Sequence, residues 1–225
     1  MERGKIRAIT FDLDNTLIDF MLLKRACIRA AIDSMIANGL HISRAQAQEL
    51  IYEIYSEYGI EYQRIFDHFL KKVKGKVDYK LLGSAVSAYR RTKSKYLLPY
   101  PKVIPTLKAL KKKGYKLAIL TDAPRLQAWI RLCDLGLQNI FDLVLCYEDT
   151  KAKKVTSQPV KVLINRLKLK PEEILLVGDS VNRDIKPAKK LGLRTCWAKY
   201  GYLGKEKRSG ADFEIKSISG LMTIV

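Results

Sequence analysis

Two short stretches of this 225-residue chain concentrate acidic residues: Asp12-Leu13-Asp14-Asn15-Thr16, and Gly178-Asp179 running on to Asp184. Carboxylates packed this closely repel one another unless a hard cation sits among them, and oxygen donors without His or Cys favour magnesium. One carboxylate could attack an electrophile as a covalent nucleophile, while a second, two residues on, transfers protons to the leaving group. In an extended strand the Asp-x-Asp spacing puts both side chains on one face, around one reacting centre. Thr121-Asp122 adds a hydroxyl and a further carboxylate.

These residues follow apolar runs, which suits strands that deliver polar groups at their carboxyl ends. Residues 6–11 read as a buried strand ending at Asp12, and further strands are expected at 117–120, 141–146, 174–177 and 195–198. Helical patterns between them end at Gly114, Gly136 and Gly192, where glycine suits a left-handed helix terminus. Strands alternating with helices imply an α/β fold with a mostly parallel sheet covered on both faces. Such sheets bind ligands at the carboxyl ends of their strands. Residues 17–99 differ: four helices fit them, roughly 20–38, 44–58, 62–72 and 78–96, with Ser43 capping the second. The chain therefore divides into a core of residues 1–16 and 100–225 and an inserted helical segment, 17–99.

Phe11-Asp12-Leu13-Asp14-Asn15-Thr16-Leu17, Leu120-Thr121-Asp122, a lysine, and Gly178-Asp179 followed by Asp184 resemble, in order and spacing, the four motifs of the haloacid dehalogenase superfamily. The insertion between the first two motifs resembles the helical cap of its phosphoglycolate phosphatase-like branch. The resemblance implies a Rossmann-like core, with Asp12 as the nucleophile that forms an aspartyl-phosphate and Asp14 as the acid/base. It implies that Thr121 holds the phosphoryl group, and that Mg2+ is bound by Asp179, the Asp12 carboxylate and the Asp14 carbonyl, with Asp184 in support. Gly178 would let the loop approach the ion closely. Asp14 disfavours the namesake reaction, because a halide leaving group needs no proton. Asn15 stands where the family often has glycine.

The third motif departs from the family pattern, which usually has lysine followed by proline. Counting back 19 residues from Asp179 gives Val160, and six more give Lys154, with Val155 in the proline's place. Lys153 and Lys151 remain alternatives. What the chemistry requires is an ammonium that reaches both Asp12 and the phosphoryl oxygens. Ser157 and Pro159 suit the start of the helix that follows.

An apolar fraction of 48% with 29% charged residues describes a globular chain rather than a disordered one. Cys27, Cys133, Cys146 and Cys196 are dispersed and form no CxxC, which points to reduced buried thiols. Residues 1–5 are charged, but the apolar run after them is too short for a signal-peptide core, and no stretch approaches the ~18 apolar residues of a membrane span. A cytoplasmic protein without a membrane partner is expected. His41 and His68 lie in the insertion and read as surface or packing residues, and Asp122 suits the N-cap of a helix beginning near Pro124.

Lys and Arg number 42 against 23 Asp and Glu, a formal charge of +19. The basic residues are scattered, as on a solvated surface. Seven of the twelve tyrosines fall in the insertion, and Tyr52, Tyr55, Tyr58 and Tyr62 have the spacing of helix packing. The chain reads as a phosphatase acting on a small phosphorylated metabolite; phosphoglycolate, glyceraldehyde 3-phosphate, sugar phosphates and nucleotides all fit. A phosphomutase using the same residues, or a nucleic-acid-binding protein on an inherited fold, are the alternatives, and nucleic acid is the partner the charge leaves open.

Overall fold

In the computed structural model, which describes residues 5–225, six strands form one sheet: β1 (Ala8–Phe11), β2 (Lys116–Leu120), β3 (Leu143–Leu145), β4 (Ile174–Gly178), β5 (Arg194–Ala198) and β6 (Phe213–Ile215). Residues 1–4, which open the charged N-terminal stretch, lie outside the described residues. The spatial order is β3-β2-β1-β4-β5-β6, and every pairing is parallel. This is the Rossmann-like α/β architecture read from the sequence. β1 and β4 are buried along their whole length, which explains why their sequences are runs of apolar residues rather than an alternation. Successive side chains go to opposite faces. Ile9, Phe11, Leu175 and Val177 join one apolar cluster, and Ala8, Ile174 and Leu176 join another.

The chain folds into two compact units, Met1–Asp19 with Leu98–Val225, and Phe20–Leu97. The second consists of four helices: α1 (Phe20–Ala37), α2 (Arg44–Tyr58), α3 (Ile65–Lys74) and α4 (Tyr79–Tyr96). Ile28, Ile32, Met35, Ile51, Phe69 and Leu81 are central to its apolar core. The Ser43 side chain accepts from the Gln46 N–H at 3.2 Å while the Gln46 side chain accepts from the Ser43 N–H at 3.4 Å, a reciprocal cap at the start of α2. Asp78, expected as the first residue of α4, is its cap and accepts from the Lys80 and Leu81 N–H groups. α3 begins three residues later than expected, because α2 ends at Gly59 (φ 88°) and Tyr62 N–H turns back onto Gly59 O.

Of the four tyrosines at helical spacing, Tyr55 is buried, whereas Tyr58 is 47% exposed and stacks on Tyr62 at 4.7 Å, with His68 against its ring. Lys24, inside the apolar stripe of α1, is buried with its ammonium 5.0 Å from the Tyr55 ring centroid and 5.8 Å from that of Tyr89. No helix among the described residues is long and apolar enough to cross a membrane.

The core unit adds α5 (Val103–Lys112), α6 (Arg125–Asp134), α7 (Tyr147–Thr150), α8 (Gln158–Leu167) and α9 (Lys186–Lys190). Gly114, Gly136 and Gly192 all have positive φ at helix ends. The strand β6 went unread in the sequence: at three residues on the sheet edge it is too short to show a period.

Candidate active site

The sheet order reverses between β1 and β4, and open parallel sheets place their ligands at the carboxyl side of such a point. Register brings the site together there. Phe11 is level with both Ile119 and Val177, so the residues that leave β1, β2 and β4 emerge side by side. They are Asp12, Thr121 and Asp179, all buried. Asp12 N–H donates to Val177 O at 2.9 Å, which holds Asp12 in line with the strand end.

Past Asp12 the chain turns sharply, with Leu17 N–H bonded to Leu13 O at 2.9 Å and Asn15 at φ 61°. A left-handed residue explains why asparagine can stand where glycine is common. Thr16 Oγ1 accepts from the Asp179 N–H at 3.1 Å, and Tyr200 OH donates to Thr16 O at 2.6 Å, so the two acidic loops are tied directly. Trp197, fully buried at the end of β5, donates from Nε1 to Asp179 O at 2.8 Å.

After Asp179 a single π-helical turn, Val181–Ile185, carries Asp184 back over the strand end, where its Oδ2 accepts from the Ser180 N–H at 2.9 Å. A Cβ on Gly178 would lie 2.4 Å from Asp184 Cγ. Glycine is thus needed here to admit the Asp184 side chain, a different reason from the close approach to an ion expected of it.

Lys154 is the centre of charge. It is 1% exposed, and its Nζ donates to Asp12 Oδ1 at 2.5 Å and Asp184 Oδ1 at 2.6 Å. Burial works against its charge, but Asp12 and Asp184 outweigh that and hold it protonated. Lys153 and Lys151 are exposed. Asp122, expected to cap α6, does not: Pro124 takes the N-cap position, and Asp122 Oδ1 accepts from the Lys154 N–H at 2.8 Å. The carboxylate expected to start a helix instead fixes the backbone of the buried lysine. Thr121 Oγ1 accepts from the Ala123 N–H at 3.1 Å.

Asp12, Asp179 and Asp184 each offer a carboxylate oxygen within 4.8 Å of the others, the cluster suited to a metal ion among the described residues. Asp179 Oδ1 is buried and has no hydrogen-bond partner among them. Burial and the adjacent Asp12 and Asp184 carboxylates push the Asp179 carboxyl well above the usual range, and burial likewise raises Asp184 against the pull of Lys154. Three buried carboxylates, one with an unanswered oxygen, fit a hard divalent cation. The Asp14 side chain is not part of that cluster: its Oδ2 accepts from Arg131 Nη1 at 2.9 Å.

A family model for haloacid dehalogenase-like hydrolases matches residues 6–192, the span holding Asp12, Asp14, Thr121, Lys154, Asp179 and Asp184. The chain belongs to that family. This hydrolase is 37% identical to a glyceraldehyde 3-phosphate phosphatase of Methanocaldococcus jannaschii over 98% of its own length and 97% of the relative's. Among solved structures it is similar to a haloacid dehalogenase-family phosphatase from Thermococcus onnurineus, with 28% identity, a TM-score of 0.71 and 97% of each chain covered. It shares the fold of a β-phosphoglucomutase-like protein from Thermotoga maritima at a TM-score of 0.76 and 22% identity, covering 97% of this chain and 98% of that one.

Three residues of the hydrolase's site had no mark in the sequence. Arg131 sits in the last turn of α6 and carries no motif signature. Gly201 lies against Asn15: a Cβ there would fall 1.6 Å from Asn15 O. Arg183 lies between Asp179 and Asp184, next to the second of them. It is exposed, and the carboxylates of Asp12, Asp184, Asp179 and Asp122 favour its charged form.

Proposed function

We propose that this chain is a magnesium-dependent phosphatase that hydrolyses a small phosphomonoester through an aspartyl-phosphate on Asp12. The observation that carries the reading is the buried Lys154 ammonium in contact with Asp12 and Asp184, beside the unanswered Asp179 oxygen. A carboxylate so held is positioned to act as a nucleophile, and the ammonium offsets its repulsion from an incoming phosphate.

In the first step an Asp12 oxygen bonds to phosphorus and the ester P–O bond breaks. The leaving oxygen takes its proton from Asp14. In the second step Asp14 accepts a proton from water, whose oxygen bonds to phosphorus as the P–O bond to Asp12 breaks, releasing inorganic phosphate and restoring both carboxyls. Thr121 donates to a phosphoryl oxygen, and Lys154 stabilises the charge on the others. Asp12, Asp179, Asp184 and the Asp14 carbonyl would hold the ion; magnesium, when bound, supplies positive charge to the phosphoryl oxygens.

The similarity to a glyceraldehyde 3-phosphate phosphatase along nearly the whole chain supports a three-carbon phosphate as substrate. The helical unit Phe20–Leu97 is assigned as the cap that selects it. A phosphate-release screen over small phosphate esters, with and without magnesium, tests the reading. Turnover should need magnesium and free phosphate should accumulate, whereas isomerised ester without free phosphate would indicate a mutase. Asp12→Asn should abolish turnover; full activity in that variant, or a phosphoryl label trapped on another residue, rejects the mechanism.

A further inference from the structure

Arg131 contributes the guanidinium that engages Asp14. Its side chain is 4% exposed and that of Asp14 is 19% exposed, and Nη1 lies 2.9 Å from Asp14 Oδ2. The two residues are 117 positions apart, one at the end of α6 and the other in the loop after β1. A part-buried ion pair is a poor choice for stability alone, because well-packed apolar residues of similar volume often do as well. The pair does something for Asp14 that packing would not. Asp14 is borne by a sharp turn whose next residue is left-handed, and its carboxyl can rotate about two side-chain torsions. A proton donor must sit within hydrogen-bond reach of the leaving oxygen, and a displacement of ~1 Å can lower a rate by about 100-fold.

We propose that Arg131 is a positioning residue: its guanidinium fixes the place of the Asp14 carboxyl, and so governs proton delivery to the leaving group during phosphoryl transfer. The inference rests on Asp14 being the acid of the proposed reaction, and the experiment separates failure of the two. The role assigned to Arg131 is exerted through Asp14 and not by contact with the substrate.

Leaving groups differ in how much they need a proton. A nitrophenolate departs without one, whereas an alkoxide does not, so the effect of Arg131 must grow with the basicity of the leaving group. The parameter to read is kcat/KM, which runs only to the first phosphoryl transfer and so omits hydrolysis of the aspartyl-phosphate. The magnesium-loaded wild type, Asp14→Asn, Arg131→Met and Arg131→Lys would be compared at one pH on aryl and alkyl phosphates of graded leaving-group pKa.

Asp14→Asn should steepen the dependence on leaving-group pKa. Arg131→Met should steepen it in the same direction, losing roughly 100-fold on alkyl phosphates, the scale of one general acid, and about threefold or less on p-nitrophenyl phosphate. Arg131→Lys, which keeps the charge but not the planar fork, should fall between Arg131→Met and wild type. Circular dichroism and urea unfolding of each variant identify any that fail to fold, and Arg131→Lys carries the test if Arg131→Met does. If Asp14→Asn steepens the series while the Arg131 variants fall evenly across it or stay unchanged, the positioning role is overturned and the phosphatase reading stands. If Asp14→Asn leaves the slope unaltered, Asp14 is not the acid, and the role of Arg131 falls with it.

Discussion

Replacing Lys154 with methionine keeps an unbranched side chain in the same space while removing the ammonium. Asp12 and Asp184, with side chains 5% and 0% exposed, then face each other and Asp179 without the cation that bonds the first two at 2.5 and 2.6 Å. Removing one partner from a buried pair costs about 3–5 kcal/mol, because the remaining charge stays buried and uncompensated. Lys154 has two such partners, each a charge-assisted contact worth roughly 1.5–3 kcal/mol, so the upper half of that range is expected. In chelator, urea unfolding of Lys154→Met should therefore show a loss of about 4–5 kcal/mol. Magnesium should restore part of it by neutralising the same carboxylates. Turnover with magnesium should fall by about 100- to 1000-fold, the scale of one preorganised charge contact in a transition state. Lys153→Met, one residue away with an exposed side chain, should stay within about 0.5 kcal/mol of wild type. A Lys154→Met protein that unfolds within that same margin, or turns over within threefold of wild type, would refute the assignment of Lys154 as the counter-ion of the site.

Asp179→Asn should raise the magnesium concentration needed for half-maximal activity by at least tenfold, since the residue offers the cluster's unanswered oxygen; an unchanged metal titration rejects it as a ligand. The metal-free protein should also lose stability as pH rises from about 4. Asp179 and Asp184 have folded pKa values above the unfolded value of ~3.9, so the native state holds more protons through that window and its stability falls by up to about 1.4 kcal/mol per pH unit for each group. Urea midpoints in chelator at pH 5.5 and 7.5 check this; magnesium and Asp179→Asn should each flatten the slope, and a midpoint that rises with pH contradicts it. Gly201→Ala should lower stability by about 1–3 kcal/mol and reduce turnover, because its methyl would overlap Asn15 O beside Asp14 and a backbone atom must move; a variant with wild-type thermal stability and rate would show that the loop gives way freely.

What this sequence determined by itself is what short-range chemistry can write. The wholly buried strands β1 and β4 are contiguous apolar runs, and a parallel strand ends where its residues become polar, so Asp12 and Asp179 could be placed at strand ends from composition alone. Ser43 could be named as a cap because its partner, Gln46, is three residues away. Asn15 could be seen in the glycine position, and the structure supplies the reason in its positive φ. The remaining features depend on groups far apart in the chain. Lys154 meets Asp12 across 142 positions; the count back from Asp179 favours it over Lys153 only through the family's spacing, and the physical distinction is burial, which encloses one ammonium and leaves its neighbour in water. Asp122 had the chemistry of a helix cap, but the Lys154 N–H is the donor that the fold brings to it. Arg131 and Gly201 carry no signature, since an arginine in a last helical turn and a glycine after a tyrosine are ordinary until Asp14 and Asn15 are folded against them. Local sequence specifies which groups can react, whereas their partners are selected by the desolvation and close approach that only the packed sheet creates.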